Sequence, residues 1–421
     1  MSRRLPGPRG LRWLRACWAL KRDPYLGVHR LIAKHGDLFR LRLGRSSEVI
    51  VVSAPELAEE VLLRQASSFR RSSSYRELRS LLGDGLLSAE GERWRTHRRL
   101  IQPAFQRGAA EALGPLIEGR VAAATTKWGA RGGLNVQQAL LELTLEIAVS
   151  ALLGIEATPA ELRELLNAMM VPMGIRPTDS RRWLPWVRVD GRAEAAATLR
   201  RLAAIFIRRR LELGAQGADL LGQLLGAEEA GALTREDVVD EVLNFLAAGH
   251  ETSAYALTWT LYLVAQRPEL QERLVVDEGE LTQRVLQESM RLYPPVWAIE
   301  RETERSVELG GFEVPAGRTL VVSVSGIHRH ASQWRTPEIF DPDRFLPAAS
   351  KARHASAYLP FGRGRRQCIG EDLAFHEMRI VLEAVVRSFH LSLDESVPVV
   401  PKGGVTLRPR DGLWLRLRAR G

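Results

Sequence analysis

The sequence predicts a mainly α-helical protein with small β-sheets at its periphery. Apolar residues recur at three- and four-residue spacings through most of residues 55–275, which is the period of helices with one buried face. Within that region the segment VLNFLAAG is apolar nearly all round, as expected for a helix that runs through a core. Short strand-like runs, bounded by glycine and polar turn residues, lie before residue 55 and after residue 300.

The long apolar helix is the best-defined element. It begins after Thr234, which has Asp237 three positions later in a pattern typical of a capping box, and it continues to about residue 265. At 1.5 Å per residue such a helix spans roughly 45 Å. The shorter elements are predicted in chain order as a helix in VHRLIAKHG, strands in LFRLRLG and EVIVVS, strands in VELGGFEVP and TLVVSVSGIHRH, a helix from near Cys368 through LAFHEMRIVLEAVVRSF, and strands in VTLRPR and LWLRLR.

Composition and charge exclude several classes of protein. Of 421 residues, 45% are hydrophobic and 26% are charged, which fits a globular chain and not a disordered one. The net charge of +10 comes mostly from scattered arginines without the aromatic-basic stripe of single-strand binders, so we expect no nucleic-acid partner. With only 2 cysteines a disulfide framework is excluded, and a reducing compartment, the cytoplasm, is expected. The length is compatible with one large domain or with two or three smaller ones.

No segment is predicted to enter a membrane. Arg12 and Arg15 interrupt the apolar residues near the N terminus, so residues 1–20 are interpreted as an extension without a membrane anchor. The most apolar long segment, ALLELTLEIAVSALLG, carries Glu142 and Glu146 and is therefore predicted to be a buried helix. We expect no membrane association.

The segment FGRGRRQCIG brings one cysteine to the start of a helix. Gly364 can adopt positive φ, and Gly370 allows the close approach of another backbone or a flat cofactor. The positive end of the following helix and the charges of Arg365 and Arg366 favour a thiolate at Cys368. Such a thiolate suits a nucleophile or an axial metal ligand, whereas a cysteine at a helix start is otherwise most commonly a buried free thiol.

This segment matches the pattern Phe-x-x-Gly-x-Arg-x-Cys-x-Gly at Phe361, Gly364, Arg366, Cys368 and Gly370. The chain is thereby identified as similar to the cytochrome P-450 family, over about residues 20 to 421. The resemblance implies one domain, residues 1–421, in which haem b lies between the long central helix and the helix after the cysteine loop. It also implies that Cys368 binds the iron as a thiolate that favours O–O cleavage. Phe361 is then expected near the sulfur, Gly364 in the cofactor-binding loop, and Arg366 at a haem propionate.

The long helix contains the sequence Ala248-Gly249-His250-Glu251-Thr252. A mid-helix glycine beside a threonine whose hydroxyl can bond the carbonyl four residues back is commonly only a kink. The same residues match the oxygen-activation motif of the family, which implies that Glu251 and Thr252 deliver the protons that O₂ cleavage requires. His250 is assigned no chemistry.

Two further motifs have ordinary interpretations when taken alone. Glu288 and Arg291 are three apart on one helical face, which by itself indicates a surface ion pair. They are followed by RLYPP, and DPDRF follows at 341–345. Because both segments match the family, the resemblance implies that Glu288, Arg291 and Arg344 form a buried triad. This triad is expected to fix the loop leading to Cys368, and its loss to prevent haem retention.

The second motif is Trp94 with Arg98, four apart on one helical face, where a half-buried tryptophan beside a surface arginine is the ordinary case. The family uses such a pair to hydrogen-bond the haem propionates through the indole N–H and the guanidinium. The resemblance carries this role to Trp94 and Arg98, with His97 as an assisting residue. Arg301 resembles another propionate-binding arginine of the family.

The resemblance also implies substrate contacts, although these mostly apolar positions are equally compatible with plain core. They lie in the loop 71–86, the long helix, the loop after YPP and a C-terminal turn. The expected contacts are Asn244, Ala247, Ala248, Val296, Trp297, Ala298, Ile299, Gly404 and Val405. Trp297 is expected to reduce the space over the haem, and the stretch RPTDSRRWLPWVRV to form part of an access lid.

Together these motifs imply a monooxygenase that inserts one oxygen atom of O₂ into an apolar small molecule, by hydroxylation or epoxidation. A peroxide-driven haem enzyme and a non-catalytic haem sensor or carrier are the alternatives, and the complete acid–alcohol motif argues against both. Electrons are expected from a separate ferredoxin or flavodoxin with its NAD(P)H reductase, and the protein is expected to be a monomer. Fatty acids, terpenes, steroids and polyketides all remain open as substrates.

Overall fold

The computed structural model describes residues 5–43, 48–129, 133–170, 191–214, 217 and 219–420. The predicted access lid, RPTDSRRWLPWVRV, lies outside these residues. The helices of the described residues are, in chain order, α1 (Leu11–Arg22), α2 (Pro24–His35), α3 (Pro55–Glu59), α4 (Ser74–Leu82), α5 (Gly91–Ile101), α6 (Arg107–Ala112), α7 (Gly114–Gly129), α8 (Val136–Leu153), α9 (Pro159–Met170), α10 (Arg192–Glu212), α11 (Leu220–Glu229), α12 (Arg235–Ala265), α13 (Pro268–Val275), α14 (Glu280–Leu292), α15 (Val324–Ile327), α16 (Pro347–Lys351) and α17 (Glu371–Ser388).

The strands are short and form small sheets, as the sequence predicts. They are β1 (Leu38–Arg42), β2 (Glu48–Val52), β3 (Phe69–Arg70), β4 (Gly133–Asn135), β5 (Ile299–Thr303), β6 (Val307–Leu309), β7 (Phe312–Val314), β8 (Thr319–Val322), β9 (Phe389–Leu393), β10 (Pro401–Gly403), β11 (Leu407–Pro409) and β12 (Trp414–Ala419). The largest sheet has the order β1-β2-β8-β5-β3, and the others are β4-β12-β9 and the hairpins β6-β7 and β10-β11. The predicted mainly α class is therefore confirmed.

The chain divides into two compact units, each built from three chain segments. The first unit contains residues 1–74, 284–368 and 400–410, and the second contains residues 75–283, 369–399 and 411–421. Since each unit is assembled from interleaved segments, neither corresponds to a continuous stretch of the sequence.

The first unit is built around the five-stranded sheet. β2 and β8 are rich in β-branched residues and pair in parallel, with Ile50 opposite Leu320. Side chains from this sheet, from α3 and from the residues after it form one apolar cluster that includes Ile50, Val52, Val61 and Leu320. The cluster also contains Leu359, which lies shortly before the cysteine loop. The sheet core therefore supports the chain where it enters that loop.

The second unit is built around α12. This helix runs over 31 residues from Arg235 to Ala265, and Thr234 and Asp237 form both hydrogen bonds of a capping box, so the predicted long helix is confirmed. It packs against α8, where the Thr144 hydroxyl donates to the carbonyl of His250 over 2.9 Å. Most of its side chains are buried, which explains why its sequence is apolar on most faces.

The helix α8 is the one described segment that is long and apolar enough to cross a membrane. It is 78% buried inside the protein, and Glu146 on it accepts a hydrogen bond from Arg120 at 3.0 Å. These features are those of a core helix, which confirms the prediction of a buried helix at this position.

Candidate active site

The cysteine loop of the first unit is held by backbone hydrogen bonds and by glycine. The amide of Cys368 donates to the carbonyl of Phe361 over 2.9 Å, which closes the loop. Gly364 has φ +80°, and a Cβ at this position would lie 2.3 Å from the carbonyl oxygen of Leu62. A side chain is therefore excluded both by backbone conformation and by space. The sulfur of Cys368 is on an exposed residue, accessible to a ligand.

A buried ion pair on α14, which precedes the cysteine loop in the chain, stabilises the first unit. Glu288 and Arg291 are both 0% exposed and form two hydrogen bonds, of 2.6 and 2.7 Å. The Nε of Arg344 lies 3.5 Å from Glu288, so the three predicted residues do come together, with Arg344 at ion-pair distance only. Arg291 also donates to the carbonyls of His328 and Pro337 over 3.0 and 2.7 Å, which binds the helix α14 to the chain after α15.

His328 connects this pair to the segment that precedes the cysteine, and sequence reasoning did not identify it. It is fully buried, and burial lowers its pKa to about 3, so the ring is neutral. Its Nε2 accepts the amide N–H of Leu359 at 2.7 Å, which leaves Nδ1 to donate to the carbonyl of Arg291 at 3.2 Å. The amide of Gly362 in turn donates to the carbonyl of Leu359 over 3.1 Å. A continuous chain of hydrogen bonds therefore runs from Arg291 into the cysteine loop.

Glu251 and Thr252, the predicted acid and alcohol, lie in the middle of α12, where the helix is locally exposed. The helix is buried along most of its length, yet Ala248 is exposed and Thr252, one turn later, is half-buried. The Thr252 hydroxyl donates to the carbonyl of Ala248 over 2.7 Å, as the spacing predicts. Glu251 is 2% exposed beside it. The middle of α12 thus presents one polar hydroxyl at an accessible position, with a buried carboxyl group next to it.

His250 has a structural position in the same segment. It is 0% exposed, and burial lowers its pKa to about 4, so the ring is neutral. Its Nδ1 donates to the carbonyl of Leu246 over 2.7 Å. These contacts agree with a residue that has no part in the chemistry.

A second buried carboxyl group faces this part of α12 from α17. Glu377 is hydrogen-bonded to Ser253, and burial raises its pKa to about 8, so the group is protonated at neutral pH. The sequence offered no signal for this residue, because its burial depends on the packing of α17 against α12.

Three residues in a row of four polar ones on α12 hold the loop after α4: Asp240, Glu241 and Asn244. Asp240 accepts the amide of Asp84 over 2.7 Å, and Glu241 accepts the amide of Leu86 over 3.1 Å. The same loop contains Gly83, where a Cβ would lie only 1.9 Å from the carboxylate of Asp240. The row is completed by Asp237 and Asn244, at the helical spacing i, i+3, i+4 and i+7.

This row changes the interpretation of Asn244, which was expected to contact substrate. Its amide oxygen accepts the N–H of Leu87 over 3.0 Å, and its amide nitrogen donates to the carbonyls of Leu82 and Asp240 over 3.0 and 2.7 Å. The side chain is 2% exposed. Because its polar atoms are already used, Asn244 positions the loop instead of offering a hydrogen bond to a ligand.

His97 is likewise placed differently from the expectation. Its Nδ1 lies 2.5 Å from a carboxylate oxygen of Glu241, and its Nε2 lies 3.7 Å from Asp237. The ring is buried between α5 and these carboxylates, so it belongs to the interface of α5 with α12. An additional role at a haem propionate is not supported by these contacts.

Trp94 and Arg98, in contrast, share an accessible pocket of about 390 Å³. The pocket is lined by Trp94, Arg95, Arg98, Arg99, Gln102, Pro103 and Gln106. Indole and guanidinium N–H groups are the donors that carboxylates prefer. In the first unit, Arg301 lies on β5 and donates to the carbonyl of Glu300 over 2.8 Å, and Arg366 lies in a single turn of helix, Gly364–Arg366, inside the cysteine loop.

The expected substrate residues of the first unit divide into exposed and buried ones. Val296 is 36% exposed and Val405 is 60% exposed, whereas Trp297 is 8% exposed. The indole N–H of Trp297 donates to the carbonyl of Gly404 over 3.0 Å, and its ring meets that of Tyr25 edge-on. Trp297 therefore fixes the turn at Gly404 to the loop that carries Val296. Of the remaining positions, Ala298 and Ile299 on β5 belong to the same unit, and the buried Ala247 lies on α12 of the second unit.

The donor set fits a haem. No group of three or more His, Cys, Asp or Glu side chains that could hold a metal ion occurs within the described ranges. Cys368 offers a single sulfur ligand on an exposed residue, which is the ligand set of a thiolate-bound haem iron, and indole and guanidinium N–H groups such as those of Trp94 and Arg98 suit carboxylates.

Comparisons with known proteins agree with this assignment. The family model described as cytochrome P450 matches residues 5–415. A cyclooctat-9-en-7-ol 5-monooxygenase of Streptomyces melanosporofaciens is 35% identical over 406 residues, covering 89% of this chain and 86% of the relative. A pentalenene oxygenase of Streptomyces avermitilis is 29% identical over 435 residues, covering 96% and 94%. The crystal structure of the cytochrome P450DA heme domain has a TM-score of 0.86 at 24% identity, covering 100% of this chain and 98% of that one.

Proposed function

Because the chain belongs to the cytochrome P450 family and is a haem b-dependent monooxygenase, we propose that its substrate is a cyclic molecule made mostly of hydrocarbon, such as a cyclic terpene. One observation supports the assignment of the catalytic residues. In the middle of α12, Ala248 is exposed and Thr252 is half-buried, and Glu251 lies beside Thr252. Haem b, when bound, activates O₂ and transfers one oxygen atom to the substrate.

We assign cofactor binding to the residues that match the family's motifs. Cys368 supplies the thiolate ligand of the iron from a loop whose conformation depends on Phe361 and Gly364. Trp94, Arg98, Arg301 and Arg366 donate hydrogen bonds to the propionates, because two propionates need several N–H donors to remain ionised. The triad Glu288, Arg291 and Arg344 keeps the cysteine loop in place through His328.

Thr252 and Glu251 divide proton delivery between them. Since the Thr252 hydroxyl donates its hydrogen to Ala248, its lone pairs remain to accept a hydrogen bond from a proton-carrying water or from a reacting hydroxyl. Glu251 is the ionisable group next to this position, and a carboxyl group can donate a proton and be reprotonated in each turnover. The hydroxyl therefore positions the proton and the acid supplies it.

Two of the expected substrate residues are apolar and exposed, which supports a hydrocarbon substrate. Val296 and Val405 are exposed valines on two loops that Trp297 and the Leu407–Pro295 hydrogen bond of 2.9 Å hold together. The relatives' names specify a cyclic alkenol in one case and pentalenene in another. A rigid ring system placed against fixed apolar side chains exposes one of its C–H bonds reproducibly, which favours regioselective hydroxylation.

We place the enzyme in the cytoplasm as a monomer whose residues 1–421 act as one domain. Both cysteines are free, as expected in a reducing compartment. We propose a separate ferredoxin or flavodoxin, with its NAD(P)H reductase, as the electron source. The net charge of +10 favours encounter with an acidic protein of this kind.

A spin-state titration tests the substrate class. Purified holoenzyme is titrated with cyclic terpene olefins and, as the matched comparison, with a linear fatty acid of similar carbon number. We expect the low- to high-spin shift with the cyclic compounds, and a hydroxylated product after addition of NADPH, ferredoxin and reductase. A shift only with the linear acid overturns the proposed class.

The proton-delivery assignment has its own control. Glu251→Gln is expected to reduce product formed per NADPH, whereas Glu142→Gln, an exposed glutamate of α8, leaves it unchanged. Equal turnover of the wild type and Glu251→Gln with hydrogen peroxide alone, at rates above those with NADPH, would instead identify a peroxide-driven enzyme.

A further inference from the structure

The helix α1 carries an apolar row on its outer face. Leu11, Leu14 and Trp18 are 76%, 53% and 62% exposed, and their spacing of i, i+3 and i+7 puts them on one side of the helix. Large apolar side chains that are contiguous and exposed to this degree indicate an interaction surface. We call this row, together with the cations beside it, the outer face of α1.

The opposite face attaches α1 firmly to the first unit. Ala16 and Leu20 are buried, and the indole N–H of Trp13 donates to the carbonyl of Arg42 over 2.5 Å. α2 approaches closely because it has Gly27 at the contact, where a Cβ would lie 3.0 Å from the Cα of Leu20. The apolar row is therefore exposed on a docked helix, so its exposure is not the result of a detached segment.

Cations flank the row on both sides. At 100° per residue, Arg15 and Arg22 lie on one side of Trp18 and Lys21 lies on the other. None of these three cations has an ion pair among the described residues, and Arg22 lies 5.6 Å from the Trp18 ring. In sequence, residues 1–22 contain seven Lys and Arg and no Asp or Glu.

The outer face adjoins the hairpin that carries one of the proposed substrate residues. The ammonium group of Lys402 on β10 donates to the carbonyl of Arg22 over 3.0 Å. The turn of that hairpin presents Val405, which is 60% exposed. Gly403 allows the hairpin to pack on Tyr25 of α2, since a Cβ there would lie 2.6 Å from the Cβ of Tyr25. The hairpin that presents Val405 is therefore attached to the C-terminal end of α1.

We propose that the outer face of α1 binds the surface of an anionic membrane, with the helix lying in the plane of the interface. An apolar row with tryptophan, flanked by Lys and Arg on both sides and without any carboxylate, is the pattern of interfacial helices. The cations contact anionic headgroups while Leu11, Leu14 and Trp18 enter the boundary of the acyl chains. An acidic protein partner would pair with the cations but would not by itself require three large apolar side chains in one row.

This surface places the enzyme where apolar molecules accumulate, because cyclic hydrocarbons partition into bilayers. The proposal does not depend on the reaction that the enzyme catalyses. It revises the expectation of no membrane contact, although Arg12 and Arg15 still exclude a spanning segment.

Vesicle flotation of the full-length holoenzyme tests the proposal. The probes are phosphatidylcholine vesicles with and without phosphatidylglycerol, at low and high salt. We expect binding to the anionic vesicles that weakens with salt, and little binding to phosphatidylcholine alone. The variant Leu11→Ser/Leu14→Ser/Trp18→Ser is expected to lower the partition coefficient by about tenfold or more. Val276→Ser, which removes an 80% exposed valine from the second unit, is expected to change nothing.

Because all three substituted residues are exposed, the triple variant should retain its haem, and its reduced carbon monoxide spectrum checks this. Three outcomes overturn the proposal: no binding of the wild type to anionic vesicles at low salt, equal binding of wild type and triple variant, or a wild-type dimer that the triple variant converts to monomer while vesicle binding is absent. Where equal binding is accompanied by slower reduction of the triple variant by ferredoxin, the face is assigned to the redox partner.

Discussion

Replacing Glu288 by alanine is expected to leave little protein that retains haem. The carboxylate accepts two hydrogen bonds from Arg291, of 2.6 and 2.7 Å, and one from the amide of Asp341, of 2.9 Å. Alanine removes all three and leaves the guanidinium of Arg291 charged at 0% exposure. Breaking a buried pair from one side costs about 3–5 kcal/mol, because the remaining charge has neither water nor a counter-ion. The whole stability of a domain is about 5–15 kcal/mol, so this loss is a large part of it.

Urea unfolding of the purified variants measures this effect. The unfolding midpoint is followed by far-UV circular dichroism and by the Soret band, and haem retention by the reduced carbon monoxide spectrum. Arg344→Ala is the matched comparison, because Arg344 reaches the same carboxylate from 3.5 Å only; it also loses its hydrogen bonds of 3.1 Å to Thr336, so we expect a cost of about 1–2 kcal/mol, smaller than that of Glu288→Ala.

A double variant separates the unpaired charge from the lost contact. In Glu288→Leu/Arg291→Met the fully buried guanidinium of Arg291 is removed together with its counter-ion, so we expect a higher unfolding midpoint than in Glu288→Ala. The reasoning is refuted if Glu288→Ala unfolds at the same midpoint as Arg344→Ala with an unchanged thiolate-type spectrum. It is also refuted if the double variant is less stable than Glu288→Ala.

Three other predictions concern the second unit. Thr252→Ala is expected to lower product formed per NADPH by roughly 10²-fold while NADPH oxidation continues, which product analysis and peroxide determination check together. Asn244→Ala leaves the amide of Leu87 and the carbonyl of Leu82 without their partner, so we expect about tenfold weaker substrate binding, or ~1.4 kcal/mol, in spin-shift titrations, and a mixture of product isomers. Burial raises the pKa of Glu377 to about 8 from 4.5. Its contribution to stability is therefore complete below pH 4.5 and is lost as the pH rises toward 8. Because Glu377→Gln cannot ionise, its thermal midpoint is expected to depend less on pH across this range than that of the wild type.

The elements that could be predicted from sequence are those whose causes are local. The helix α12 begins at Arg235 and ends at Ala265, as its capping box and its apolar character predict. The positive φ of Gly364 follows from residue type, and the hydrogen bond from Thr252 to Ala248 follows from helical spacing. Each of these depends on residues that are no more than four positions apart.

The parts that sequence did not predict depend on partners far along the chain. The spacing of Glu288 and Arg291 alone indicates a surface pair, and only the packing of α14 in the first unit makes both residues 0% exposed. His328 was missed because it binds the backbone of Leu359, and a backbone partner leaves no mark on the sequence. The roles of Glu288 and Arg291 were therefore available through family resemblance and not through local physics.

Asn244 belongs to a polar row that is visible in the sequence, but the partner of that row could not be identified from the sequence. Asp237, Asp240, Glu241 and Asn244 form a polar row in a helix that is otherwise apolar, and such a row needs a hydrogen-bonding partner when it is buried. For Asp240, Glu241 and Asn244 the partner is the loop that contains Leu86, whose amide binds Glu241 from 155 positions earlier in the chain, whereas Asp237 pairs with Arg93. A buried polar row therefore predicts that some polar partner exists, while only the fold identifies which one.

For α1, the sequence correctly excluded a membrane-spanning helix, but the wider prediction of no membrane association did not follow from it. Arg12 and Arg15 interrupt the apolar residues, so the segment cannot span a bilayer, and this remains true of the structure. The same interruptions, at helical spacing, place cations beside an exposed row of Leu11, Leu14 and Trp18. Charges that exclude a spanning helix are those that an interfacial helix requires, because its polar face must meet headgroups. Residues that exclude one mode of membrane contact can therefore specify another, and flotation of the triple variant decides whether they do so here.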